Sequence, residues 1–251
     1  MSAATRIQGS IAIVGKGGAG KTVTTGVLGP ALAARGATVA IVDFDPDHVL
    51  TRWLAPGRGE DAPAVDDWLA GSARLEEIAV PLREGLVLIP AGGGLAVSEH
   101  DHNVGDQTAA LVHGLRKVYD VVLIDTRGAV TSRLTLAALA AADAAIIPFP
   151  VEAGSVDTTW EAIGRADQLH TPVLGLLPWR PSRTRMARLV PSIFTGRGYR
   201  VFSPIRQDVL ADETRSMRKL LDDYAPKARA VEDYAVLADE VARALADMRA
   251  A

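Results

Sequence analysis

Short, almost purely apolar runs recur along the chain at 11–14, 39–42, 86–89, 121–124, 144–147 and 173–177. They are continuous rather than alternating, the signature of strands buried on both faces. Apolar residues at helical spacing fill 22–35, 104–118, 133–142 and 156–169 between them, and 183–194, 208–221 and 228–245 after the last run. Strand and helix in alternation predict an α/β fold: one three-layer αβα domain over 1–251 around a mostly parallel twisted sheet. Ligands of such sheets bind at the carboxyl ends of the strands. Gly36 is placed to end the first helix, 55–63 reads as a surface loop, and Gly92-Gly93-Gly94 as a strand-to-helix turn.

Between the first run and the first helix lies Gly15-Lys16-Gly17-Gly18-Ala19-Gly20-Lys21-Thr22. This is a phosphate-binding P-loop, whose backbone N–H groups and following helix N-terminus surround phosphates. Glycine is needed where a Cβ would meet the ligand or forbid a positive φ. Lys21 is placed to reach the β and γ phosphates and Thr22 to ligate Mg²⁺. The nucleotide contacts expected from the motif are Gly15, Lys16, Gly17, Gly18, Ala19, Gly20, Lys21, Thr22 and Val23. Lys16 sits too early in the turn to repeat the work of Lys21. The chain has 22 arginines and five lysines, two of them in this loop. A compact ammonium has been kept where a planar guanidinium would crowd the phosphate oxygens.

Two further acidic motifs end strands. Asp43-Phe44-Asp45-Pro46 sends two carboxylates to the phosphate end of the sheet, one to approach Mg²⁺ or its waters, the other to orient a switch loop or the attacking water. Asp125 closes the run at 121–124 as a Walker B carboxylate. The candidate metal residues are therefore Thr22, Asp45 and Asp125. His100 and His102 lack a third ligand at a metal-binding spacing.

Loop, acid pair and strand-end acid together resemble the ParA/MinD family of deviant-Walker P-loop ATPases. The segments 51–54, 88–90 and 142–148 are similar to its short, Soj-like ParA branch. The resemblance implies slow ATP hydrolysis with ATP and Mg²⁺ as cofactors. It also implies a homodimer in which Lys16 reaches the partner's ATP, with Lys16, Lys21 and Asp45 as the catalytic set. Glu152 and Asp157 match positions near the nucleotide interface in that family. No arginine finger is identifiable by motif, so stimulation is expected from a ParB-like centromere-binding protein. The chain departs from the family pattern at Thr126-Arg127-Gly128, where a proline pair is usual, at Asp47 and at Val209.

The net charge of −3 conceals a basic segment. Residues 179–229 hold 12 Lys and Arg against 5 Asp and Glu. On composition alone a solvated Arg-rich helix pair explains this as well as a polyanion site does. The resemblance favours non-specific DNA binding, with Arg183, Arg185, Arg188, Arg206, Arg215 and Arg218 as candidates. The reading is then a cytoplasmic, nucleoid-associated DNA-partitioning ATPase. A MinD-like membrane-positioning ATPase is the alternative and a metabolic ATP-using enzyme the third. The Ala-rich 240–249 stretch lacks the large apolar anchors of a membrane-binding helix, and no run is long enough to span a bilayer. About ten residues precede the first strand, too few for a helix-turn-helix domain. The absence of cysteine removes disulfides, thiolate metal sites and Cys nucleophiles.

Overall fold

The computed structural model describes residues 7–250 except 60, 153, 183 and 184. The strands are β1 Gly9–Ile13, β2 Val39–Phe44, β3 Val80–Arg83, β4 Leu86–Ile89, β5 Val121–Thr126, β6 Ala144–Pro150 and β7 Val173–Trp179. They form a seven-stranded sheet in the order β3-β4-β2-β5-β1-β6-β7. Every neighbouring pair is parallel except β3 with β4.

Helices α1 Lys21–Ala33 and α2 Val49–Leu54 follow β1 and β2, and α3 Val65–Leu69 and α4 Leu75–Ile78 precede β3. Helices α5 Leu95–Ser98 and α6 Val104–Arg116 lead into β5, while α7 Arg133–Ala141 and α8 Ser155–Gln168 follow β5 and β6. After β7 come α9 Arg185–Thr195, α10 Val209–Met217, α11 Leu221–Tyr224 and α12 Arg229–Ala250.

Every residue of β1, β2 and β5 is buried, which is why these runs are uniformly apolar until their last residues. Val39 and Ile41 pack with α1, α2 and α12, whereas Ala40, Val42 and Phe44 pack with α3, α6 and α7. The alternation puts Phe44 on the face opposite Asp43 and Asp45.

The expected three-layer α/β fold is present, with two differences in detail. β3 was not anticipated: it is half-exposed, contains Pro81 and returns antiparallel through Gly85, so it makes no continuous apolar run. The helix expected over 208–221 breaks after Met217, where Arg218 takes a left-handed conformation (φ 53°) before α11 begins. Asp208 caps α10 through the Leu210 N–H and also accepts the Ala230 N–H, so one carboxylate joins α10 to α12.

Trp53 fastens α2 to its surroundings. Its ring lies so close to α1 that a Cβ on Gly26 would come within 2.4 Å of it, and its indole N–H donates to the Lys219 carbonyl at 2.7 Å. Trp53→Ala is therefore expected to lower the unfolding free energy by about 3–5 kcal/mol in chemical denaturation.

Candidate nucleotide-binding site

The P-loop leaves the carboxyl end of β1, between β5 and β6. Gly15, Gly18 and Gly20 have φ of 148°, 80° and 87°, angles that only glycine adopts readily. Two contacts hold the loop's shape. A Cβ on Gly20 would fall 2.3 Å from the Trp179 ring, and one on Gly128 would fall 2.8 Å from the Gly17 Cα. Trp179 at the end of β7 and the segment after β5 thus press on the loop from two directions, and Arg180 stacks over Trp179 with its guanidinium 4.9 Å from the ring centre.

The two loop lysines have different surroundings. Lys21 is buried and its ammonium donates to the Lys16 carbonyl at 3.1 Å. Burial lowers its pKa, while Asp125 and Asp45 pull it back up. Lys16 is exposed and has no ion-pair partner among the described residues. Ala19 and Val23 are buried, Gly17 and Gly18 exposed, and Thr22 half-buried.

Asp43 and Asp125 lie side by side in register on β2 and β5, and both are fully buried. They are stabilised differently. Asp43 Oδ2 accepts the Thr51 hydroxyl at 2.6 Å and the Thr51 N–H at 2.7 Å, and Oδ1 accepts the Asp45 N–H at 3.2 Å. Burial nevertheless raises its pKa to about 6, against the pull of those donors. The Thr51 hydroxyl in turn accepts the Ala91 N–H at 2.9 Å, so Thr51 braces β2, α2 and the segment after β4 together. Asp43 is thereby the orienting member of the acid pair.

Asp125 is pushed well above the usual carboxylate range by burial and by Asp43. Thr22 and Lys21 pull it down, and Asp45 pushes it further up. Its Oδ1 accepts the Thr25 hydroxyl at 3.4 Å, and its buried Oδ2 has no partner. An orphaned carboxylate oxygen beside Thr22 fits a hard divalent cation such as Mg²⁺, with Asp45 close enough to act on both Lys21 and Asp125. Thr22 and Asp125 would hold the ion, which would supply charge neutralisation for a bound triphosphate.

Glu152 and Asp157 are exposed beyond β6, and among the described residues their side chains make no hydrogen bond or ion pair with the loop. Arg127, the unusual cation after β5, is paired with Glu99 at 2.9 Å. Nothing in the chain's periodicity signalled Glu99 as its partner or Thr51 as the brace, because both contacts join residues distant in sequence.

The candidate DNA arginines divide sharply. Arg206 is clamped by Asp233 at 2.6 Å and lies 3.5 Å from Glu232, so the free cation expected there is an ion pair anchoring the start of α12. Arg215 and Arg218 are exposed and unpaired among the described residues. Arg183 lies outside the described residues, as do the side chains of Arg185 and Arg188 at the start of α9.

An AAA domain family model matches residues 9–170. A ParA family protein of Chlamydia trachomatis is 31% identical over 249 residues, covering 90% of this chain and 94% of its own. The chain belongs to the ParA family. The chromosome-partitioning ATPase Soj of Thermus thermophilus is 31% identical, with 90% of this chain and 92% of Soj covered. Cobyrinic acid a,c-diamide synthase of Mycobacterium smegmatis, solved with an ATP analogue and magnesium, superposes with a TM-score of 0.76. It is 27% identical, with 93% of each chain covered. This ParA-family chain is an ATPase, and ATP and Mg²⁺ are its cofactors.

Thr51 is the residue whose loss isolates the brace. Thr51→Val keeps the shape but removes one donor to buried Asp43 and the acceptor of the Ala91 N–H. It is expected to cost about 1–3 kcal/mol by denaturation, with Thr51→Ser restoring most of it.

Proposed function

We propose that this ATPase partitions DNA: an ATP-bound homodimer coats DNA without sequence preference, and hydrolysis stimulated by a ParB-like partner releases it. The observation that carries the reading is the contrast between the two loop lysines, Lys21 buried against the loop and Lys16 exposed and unpaired. Lys16 is free to reach across a two-fold axis to a partner's phosphates. Two facing triphosphates repel unless cations from both subunits intervene, so the ATP state favours the dimer.

In this reading Gly15 to Val23 hold the nucleotide, Thr22 and Asp125 the metal, and Asp45 positions the attacking water. Glu152 and Asp157 stand at the rim of the interface, where their exposure leaves them free to meet a second subunit. Arg215 and Arg218, with Arg183, Arg185 and Arg188 on the preceding segment, supply the DNA surface. Dimerisation doubles this surface, so nucleotide state changes DNA affinity through avidity. Such a protein works in the cytoplasm on the nucleoid. Among the described residues no helix is long and apolar enough to cross a membrane.

DNA retention measured across a salt series with ADP, with ATP and without nucleotide tests the whole scheme. Binding should be strongest with ATP and fall steeply with salt, as phosphate contacts require. Equal retention in all three states would refute it. Lys16→Ala is expected to remain a folded monomer in ATP by light scattering. Asp45→Ala should slow hydrolysis while ATP dimers persist, and full turnover in that variant would remove Asp45 from the catalytic set. Arg215→Gln should reduce the salt slope by about one. Arg206→Gln should leave the slope unchanged, because that guanidinium is already occupied.

A further inference from the structure

A cavity of about 450 Å³ opens beside the Thr51 brace, between α2, the 55–59 loop and the glycine turn after β4. Arg52, Arg58 and Arg218 line it, and no carboxylate among the described residues does. Arg52 and Arg218 are exposed and have no ion-pair partner among the described residues. Arg58 is partly buried; burial lowers its pKa while Asp66 and Asp67 raise it, and Nη2 donates to the carbonyls of Ala62 and Pro63.

The glycine turn supplies a different set of donors. The N–H groups of Gly92 and Gly93 donate to no acceptor among the described residues, although Gly92 is buried. The Gly94 N–H is taken by Asp66 Oδ2 at 2.8 Å. Gly92 and Gly93 thus line the same concave space as Arg52 and Arg218, with Asp66 packed behind the turn, where a Cβ on Gly92 would fall 2.3 Å from Asp66 Oδ1.

Asp66, behind the glycine turn, acts on Arg58 and takes the Gly94 N–H, which leaves Arg52 and Arg218 as an excess of positive charge that an anion would balance. Like charges raise one another's energy, and a buried N–H without an acceptor is unfavourable. Guanidinium forks match the paired oxygens of phosphate and carboxylate. The volume lies in the range of roughly 300–1,000 Å³ that accommodates small molecules. A duplex is too broad to enter a space of this volume, which favours a small ligand.

We propose that this cavity binds a small anion carrying phosphate or carboxylate groups, gripped by Arg52 and Arg218 and received by the N–H groups of Gly92 and Gly93. No residue of the P-loop lines it, so it is a second anion site, and its existence does not rest on the partitioning reading. Thr51 forms part of its wall, so the ligand would sit directly against the residue that holds Asp43.

The test uses the full chain with ADP and Mg²⁺ filling the P-loop. Inorganic phosphate, and in a second arm citrate, is titrated at constant ionic strength and followed calorimetrically. Saturable binding of either is expected in the wild type. Arg52→Gln should weaken it about tenfold, the loss of one charge-assisted fork, with Arg52→Lys in between. Arg215→Gln, outside the cavity, should leave it unchanged. Arg52→Gln should melt with the wild type in ADP, since that side chain is exposed and unpaired. Equal anion binding in the wild type and Arg52→Gln overturns the site. Displacement of phosphate by duplex DNA, with DNA binding lost in Arg52→Gln, overturns the small-ligand assignment in favour of a nucleic-acid backbone. If anion binding survives while ATP-dependent DNA retention fails, only the partitioning reading falls.

Discussion

Three carboxylates and a single ammonium meet at the carboxyl ends of β2 and β5, and this imbalance governs the site. Asp43 and Asp125 have no solvent exposure, Asp45 is 9% exposed and Lys21 6%. Buried charge costs several kcal/mol per ion unless it is paired or hydrogen-bonded. Asp43 is relieved by three donors from the chain itself. Asp125 keeps one oxygen with none. The fold can afford an uncompensated acid there only because the surrounding strands and helices over-determine its position. A divalent cation arriving with a nucleotide would complete the charge balance, and the cost of burying Asp125 would then become part of the driving force for binding.

The layers of the fold and the core of this site could be read from the chain because both rest on local pattern. A strand buried on two faces must be apolar, and a loop around phosphate must be glycine-rich. The reading stopped where a residue's role depends on a distant partner. β3 is half-exposed and carries a proline, so neither periodicity nor propensity marks it. Thr51 looks like any helical threonine until β2 and the segment after β4 come to it. Gly20 and Gly128 are predictable as turn residues. That they are also the floor beneath Trp179 and the contact on Gly17 is a tertiary fact.

Charge counting reached the same limit. The excess of cations over 179–229 suggested one broad basic surface, but several of those arginines are neutralised. Arg206 pairs with Asp233, Arg200 with Asp247, and Arg180 with Asp212. Asp233 and Asp247 both lie on α12, beyond the segment counted. Of the cations without an ion pair among the described residues, Arg215 and Arg218 stand with Arg52 of α2 around a second small cavity on the flank of α10, which Asp212 also lines, while Arg197, Lys219, Lys227 and Arg229 lie outside it. Three unpaired guanidinium groups thus meet where α2 approaches α10, one of them from outside the segment counted, which no segment-wise sum could have located.

That convergence places α2 between the acid pair and the basic flank. Three consecutive residues of this one short helix face three different regions: Thr51 the acid pair, Arg52 the anion cavity, and Trp53 the Lys219 carbonyl beside Arg218. Contact alone carries no signal; coupling requires an element with two arrangements that each site biases. α2 is pinned on two sides of this convergence, by Thr51 on Asp43 and by Trp53 on the Lys219 carbonyl. It is six residues long, no side chain caps its start, and His48 at that start is held at φ 50°, a conformation that costs a non-glycine residue on the order of 1 kcal/mol. The Asp43 and Lys219 contacts hold α2 against release of that start. Loss of the Asp43 contact would remove one of the two anchors that fix the position of Arg52 between them.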